Sequence, residues 1–207
     1  MKKIISFIVA LGWAVMAFAQ TPEEIISRME QVMAEHEKDG IIMTMDIKIP
    51  ILGTVSTTTY ILGDKFKMKG TVAGTDVITW VDGTTNWIYS PKENKVTISK
   101  SDKKKASEKA SDTEMFNGIT EGYDVSISEE TDKVWKILCK KSKDNKEKDD
   151  PKTMNLVVAK GTFYPVSLSA KMSGITMTMR DLSYGVTEAQ VTFNPADYPD
   201  ATIEDKR

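Results

Sequence analysis

Few residues in this 207-residue chain are obvious candidates for chemistry. They are His36, Cys139, the carboxylate pair Glu129-Glu130 and the pair Asp149-Asp150. A histidine base could activate a serine in a hydrolase, but no serine stands in a G-x-S-x-G elbow. His36 lies near the C-terminal end of a predicted helix, where a partly positive side chain complements the helix dipole, so we expect a surface role for it. A hydrolase based on His36 is the alternative, and it predicts that His36→Ala abolishes turnover of an ester substrate.

Cysteine and metal chemistry are disfavoured as well. Cys139 lies in the strand-like segment VWKILCK and, as the only cysteine, cannot form an intramolecular disulfide. We expect it to be a small, buried apolar residue. The sequence has no Cys/His cluster with metal-binding spacing and no glycine-rich loop that would hold a phosphate. We therefore predict a protein that is not an enzyme and has no catalytic residues, metal or cofactor.

The first residues have the pattern of a secretory signal peptide. Two lysines precede an apolar run from Ile4 to Phe18, and Ala17 and Ala19 have A-x-A spacing. We expect cleavage after Ala19 and a single domain over residues 20–207. Without the two leader lysines, the 28 basic side chains of the whole chain become 26, against 30 acidic ones. This negative balance argues against nucleic acid as a partner.

The segment after the leader predicts one amphipathic helix. Thr21 is suited to be the N-cap, Pro22 the first helical residue and Glu24 the partner in a capping box, and Gly40 marks the stop. The residues at helical spacing on its apolar face are Ile25, Ile26, Met29, Val32 and Met33. This helix must therefore pack on a hydrophobic surface.

Beyond Ile41 the apolar period changes to two, which predicts strands with one wet face. The clearest examples are IIMTMDIKI, YPVSLSAKM and ITMTMR. The other candidates are TVSTTTYIL, KFKMKG, TDVITWV, NWIYS, KVTIS, YDVSIS, VWKILCK, TMNLVVA and AQVTFN. Short turns such as Asp82-Gly83 separate several of them, as antiparallel hairpins require. Two lysine-rich segments, Lys100 to Glu114 and Lys140 to Lys152, are predicted to be solvated loops, although the first could form a short lid helix.

Methionine is unusually common in these strands. The chain has 12 methionines, and those in predicted strands include Met43, Met45, Met68, Met172, Met177 and Met179. Strands ordinarily prefer branched or aromatic side chains, whereas flexible methionine suits a surface that adapts to ligands of variable shape. Any one of them could simply fill a core, but as a set on neighbouring strands they favour an adaptable hydrophobic cavity.

Two segments resemble a known family, the periplasmic carriers of outer-membrane lipoproteins (LolA-like proteins). DGTTNWIYSPKENKVTI resembles the family's Asp-Gly turn, Trp-x-Tyr-x-Pro strand and Val-containing strand, here with Trp87, Tyr89 and Pro91. VTFNPADYPDATIEDKR resembles its ending, a Phe-x-Pro strand and a tail that closes on Asp-x-Arg. Where characterised carriers have an arginine that ties down a lid, LGDKFKMK offers Lys65 and Lys67. The order of parts also fits over the whole chain after the leader.

The resemblance implies a mainly β fold, an incomplete (open) antiparallel barrel of about 10–12 strands, with the N-terminal helix and a possible helical lid over a hydrophobic cavity. It also implies a periplasmic location and a carrier that binds the acyl chains of lipoproteins, or a similar lipid, and shuttles them towards the outer membrane. The partners it implies are an inner-membrane release complex and an outer-membrane acceptor, and we expect a monomer. The alternative is a periplasmic module that senses lipid or lipoprotein and signals to a partner protein.

The predicted cavity lining combines the apolar faces of the strands. It consists of Met43, Met45, Ile47, Phe66, Met68, Trp87, Tyr89, Leu168, Met172, Ile175, Met177 and Met179. The predicted helix cover consists of Ile25, Met29 and Met33. Alternation places Trp87 and Tyr89 on one face of their strand but leaves open whether they line the cavity or brace the sheet from outside.

Overall fold

The computed structural model describes residues 20–50, 53–72, 74–101, 118–148, 150–172 and 174–207. Its helices are α1 (Pro22–Glu35) and the single turn α2 (Glu188–Val191), with short 3-10 turns at Glu37–Asp39 and Pro195–Asp197. Its strands are β1 (Ile41–Ile49), β2 (Gly53–Leu62), β3 (Lys65–Val72), β4 (Thr75–Val81), β5 (Thr85–Ser90), β6 (Lys95–Lys100), β7 (Tyr123–Glu130), β8 (Val134–Lys141), β9 (Thr153–Ala159), β10 (Pro165–Met172), β11 (Ile175–Tyr184) and β12 (Thr202–Asp205). The predicted signal peptide and most of the possible lid segment lie outside the described residues. No helix in the described ranges is long and apolar enough to cross a membrane.

All twelve strands belong to one sheet, in the order β12-β6-β5-β4-β3-β2-β1-β11-β10-β9-β8-β7. Neighbouring strands are antiparallel except for β12, which pairs in parallel with β6. Strands β7 and β12 form the two edges, so the sheet is open rather than closed into a barrel. The predicted mainly β, open architecture is thus confirmed.

Helix α1 begins where its sequence signals predict. The Glu24 amide donates to the Thr21 hydroxyl at 3.2 Å, and the Thr21 amide donates to the Glu24 carboxylate at 3.3 Å, which completes the capping box. The chain then passes through the 3-10 turn to Gly40, whose φ is +66°. A Cβ at Gly40 would lie 2.6 Å from the Ile61 carbonyl oxygen, so only glycine fits between the end of this turn and β2.

The apolar side of α1 lies on one face of the sheet, which we call the helix face. The buried core on this face comprises Ile25, Ile26, Met29 and Met33 of α1 together with Ile41, Met43, Ile61, Trp135, Ile137, Cys139, Met154, Leu156, Val158 and Leu168 of the sheet. A register shift in β11 near Asp181, where φ is +55°, turns Leu182 and Tyr184 towards the same core. The helix face therefore stays apolar along the full length of β11.

The opposite face, which we call the tail face, is covered near β4–β6 by the C-terminal segment 187–201. Trp80 and Trp87 pair across β4 and β5 and contact the Phe193 ring at centroid distances of 5.4 and 5.9 Å. Tyr89 packs on Tyr198 at 4.4 Å. We call these five residues the aromatic cluster. The sheet thus has a hydrophobic core on each face.

The predicted strand AQVTFN is wrong. Residues Glu188–Val191 form α2 instead, because the Gln190 side chain accepts a hydrogen bond from the Thr187 amide at 2.8 Å and fixes a helical turn. The chain then turns again at Pro195–Asp197 before it forms β12, which the sequence pattern did not indicate. The antiparallel expectation also needs correction at β12, which runs parallel to β6.

Candidate functional site

The sheet register brings most of the predicted lining residues together on the helix face. Met45 is paired with Met179 of β11 and with Thr57 of β2, and Ile47 is paired with Met177 and Val55. Met177 and Met179 are in turn opposite Ala170 and Leu168 of β10, and Ile175 is opposite Met172. These pairings form a continuous apolar surface across four strands. Strand β3 extends it with Phe66 and Met68, because Met68 is opposite Thr59, the partner of Met43.

Burial divides this surface into two parts. Met43 and Leu168 are buried in the core under the helix, with exposed fractions of 1% and 7%, and Phe66 packs against the same core. Six other side chains keep an intermediate exposure, and we call them the methionine strip: Met45, Ile47, Met68, Ile175, Met177 and Met179. Met172 lies at the end of this surface and is 37% exposed. The strip is an apolar surface that the described part of the protein covers only in part.

The predicted helix cover is fully buried. Ile25 and Met29 are 0% exposed and Met33 is 3% exposed. They pack in the same core as Ile137, Leu156 and the other apolar residues of β8 and β9. The helix therefore covers the part of the helix face towards β7 and leaves the methionine strip beside it.

Trp87 and Tyr89 do not line this surface, so their inclusion in the predicted lining is wrong. Trp87 is opposite Trp80, which is opposite Lys67, and Lys67 lies between Phe66 and Met68 in β3. Since alternate residues point to opposite faces, Trp87 and Tyr89 belong to the tail face. There they pack in the aromatic cluster and brace the C-terminal segment against the sheet.

Replacing Trp87 by alanine is expected to lower the free energy of unfolding by about 1–3 kcal/mol, because a half-buried indole leaves the aromatic cluster. The affinity for a fluorescent phospholipid is expected to change by less than about twofold, because the ring is on the face opposite the strip. Urea unfolding and a lipid titration measure the two quantities. Ile88→Ala, an adjacent and exposed position on the helix face, is the control for stability. A large loss of lipid affinity in the Trp87 variant would contradict its placement outside the site.

Lys65 and Lys67 also lie on the tail face. The Lys65 ammonium forms an ion pair with Glu188 of α2, and this hydrogen bond raises the pKa of Lys65. The Lys67 ammonium lies 5.3 Å from the Trp80 ring centroid and 5.8 Å from that of Tyr60, and burial lowers its pKa. Lys65 therefore contacts the C-terminal segment, whereas Lys67 packs against two rings of the sheet. Both side chains lie on the face opposite the methionine strip.

His36 anchors the end of α1 to the sheet. Its Nδ1 lies 2.8 Å from Asp39 Oδ2, its Nε2 lies 2.9 Å from the Tyr164 hydroxyl, and its ring stacks on Tyr184 at 4.5 Å. The Tyr184 hydroxyl donates to the Met33 sulfur at 2.6 Å, and burial raises the pKa of Tyr184 to about 12. His36 thus belongs to a network that fastens the helix to the sheet. The sequence had predicted only a surface residue.

The structure gives no support for cysteine or metal chemistry in the ranges it describes. Cys139 is 1% exposed, as expected from its strand, and burial raises the pKa of its thiol from 9.0 to about 11. A thiol with that pKa is almost entirely protonated at neutral pH and is a weak nucleophile. Within the described residues, no three His, Cys, Asp or Glu side chains lie close enough together to hold a metal ion.

The sequence reasoning missed several residues around the strip. Val55 and Thr57 of β2 lie between Met45, Ile47 and strand β3, and Thr57 is buried although it is polar. Met154 of β9 is a further buried strand methionine under the helix. The alternation in TVSTTTYIL already placed Val55, Thr57 and Thr59 on one face, but their small and polar side chains did not mark that face as apolar.

Comparison with known proteins gives structural likenesses only. No protein-family model matches the chain, and no curated protein does. An uncharacterised conserved protein from Thermus thermophilus is 17% identical, over 89% of this chain and 98% of that chain, at a TM-score of 0.47. The lipoprotein LppX of Mycobacterium tuberculosis is 12% identical, over 79% and 95% of the two chains, at a TM-score of 0.49. A LolA superfamily protein from Nitrosomonas europaea is 10% identical, over 86% and 100%, at a TM-score of 0.36.

All three TM-scores lie below 0.5, so these likenesses carry no argument about the protein. The architecture stands on the sheet itself, because the described residues form a mainly β fold with one open sheet of twelve strands. The open, mainly β architecture that the sequence resemblance implied is therefore confirmed.

Proposed function

We propose that this protein is a periplasmic carrier that binds the acyl chains of lipoproteins, or of similar lipids, and shuttles them towards the outer membrane. The observation that carries the proposal is the methionine strip, a row of mostly flexible apolar side chains left partly exposed beside a helix-covered core. Methionine adapts its shape to its partner, so such a surface accepts chains of different length and branching.

The energetics of transfer support a passive carrier. Burial of each CH₂ group contributes about 0.8 kcal/mol, so hiding a chain of about 16 carbons from water contributes on the order of 12 kcal/mol. A protein surface nearly as apolar as a bilayer makes the exchange of this chain between membrane and carrier almost neutral. Pick-up and release then need no covalent chemistry, in keeping with the expectation that the protein is not an enzyme.

Native mass spectrometry of the protein purified from a cell-envelope extract tests the proposal. We expect a population whose mass exceeds that of the chain by the mass of a lipid or lipoprotein, and uptake of a fluorescent fatty acid by the delipidated protein. A mass equal to that of the protein alone, with no uptake of the fluorescent fatty acid, would contradict lipid carriage.

A further inference from the structure

A concave region lies at one end of the sheet, where β8 and β10 end and β9 and β11 begin. It encloses about 810 Å³. Its lining includes four lysines, Lys141, Lys148, Lys152 and Lys171, with Asp150 and Met172. We call this region the lysine pocket. Its charge differs from that of the methionine strip, although Met172 belongs to the apolar surface of the strip and also lines the pocket.

The charge of the pocket is not neutralised by the described carboxylates. The Lys141 ammonium donates a hydrogen bond to the Glu147 carbonyl oxygen, and none of the four pocket lysines forms an ion pair with a carboxylate in the described part of the chain. The Asp150 carboxylate accepts a hydrogen bond from the Asn145 side-chain amide at 2.8 Å. One carboxylate oxygen is therefore already bonded within the loop between β8 and β9. Four lysines and one carboxylate line the concavity, so its described lining has a net positive charge that attracts an anion.

The position of the pocket connects it to the proposed lipid site. Met172 is opposite Ile175, and the next pair on the same face is Ala170 and Met177. The pair between them, Lys171 and Thr176, points to the tail face. The apolar row thus runs from the centre of the sheet to the edge of the pocket. An amphiphile whose chains lie along this row would place its polar end among the lysines.

We propose that the lysine pocket binds a phosphate-type anion, and that this anion is the headgroup of the lipid whose acyl chains lie on the methionine strip. This assignment rests on the proposed carrier function. It narrows the cargo to amphiphiles with an anionic headgroup, for which Lys141, Lys148 and Lys152 act as point charges at the mouth of the apolar surface.

Two pyrene-labelled lipids with identical chains test the proposal, one phosphatidylglycerol and one diacylglycerol, which has no phosphate. The protein, expressed with its own leader, is expected to bind the anionic lipid about tenfold more tightly at low salt, since several exposed charges each contribute modestly. The triple variant Lys141→Gln, Lys148→Gln, Lys152→Gln is expected to lose this preference and to keep its affinity for diacylglycerol. The matched control, Lys69→Gln, Lys92→Gln, Lys133→Gln, removes the same charge from exposed positions outside the pocket and is expected to keep the preference.

The outcomes separate this inference from the carrier function. Equal binding of both lipids by the wild-type protein, or a preference that persists in the pocket variant, overturns the headgroup assignment and leaves lipid carriage intact. Binding of neither lipid contradicts carriage itself. A titration with inorganic phosphate distinguishes the sources of the anion: phosphate that binds as tightly as phosphatidylglycerol identifies a site for a free anion and overturns the headgroup assignment.

Discussion

Replacing Met29 by alanine is expected to lower the free energy of unfolding by about 2–5 kcal/mol. Met29 is 0% exposed and lies in the core between α1 and the sheet. The truncation removes apolar contacts and leaves a cavity, because the capped helix and the hydrogen-bonded strands can relax only in part. Urea unfolding followed by circular dichroism measures the loss as a lower midpoint at an unchanged slope.

Gln31→Ala is the matched control, since Gln31 is exposed on the same helix and alanine favours helix. We expect its effect to stay within about 0.5 kcal/mol. If Met29→Ala cost no more than this control, α1 would not be packed on the sheet as described. The comparison therefore tests the core of the helix face without involving any ligand.

Local signals in the sequence were sufficient to predict the elements that have strong periodic patterns. The Thr21-Pro22-Glu24 start located the first residue of α1, and the alternation in IIMTMDIKI gave the bounds of β1. Both signals act within a few residues, through caps and through a period of two, so they need no knowledge of the fold. The two wrong or missing elements, α2 and β12, are four residues long, too short to show a period.

The composition of the site was less predictable, because alternation shows which residues share a face but not which face is covered. Trp87 and Tyr89 do share a face, yet the covering element on that face is the C-terminal segment with Phe193 and Tyr198, about a hundred residues away in the sequence. The lysine pocket could not be predicted from the sequence for the same reason. Lys171 belongs to a strand, whereas Lys148 belongs to a loop, and only the sheet order places them around one concavity.

Replacing Met45 by glutamate is expected to weaken the binding of pyrene-labelled phosphatidylcholine by about 100-fold, since an acyl chain on the strip would have to cover a carboxylate at a cost of a few kcal/mol. Met45 lies in the middle of the methionine strip, opposite Met179 on one side and Thr57 on the other. Because this position is partly exposed, the charge keeps contact with water in the unliganded protein and the fold is expected to tolerate it. The wild-type protein and the variant have the same lysine pocket, so its contribution to binding is the same in both.

Thr44→Glu places the same charge one residue earlier, on the tail face opposite Arg180, and is expected to leave binding unchanged. The pair of variants separates the effect of the charge from the effect of the face, because the two positions share a strand and have similar exposure. Equal affinities for the two variants would place the acyl chains elsewhere than on the strip. A loss confined to Met45→Glu would require the chains to lie across β1, where the partly exposed methionines of β1 and β11 meet.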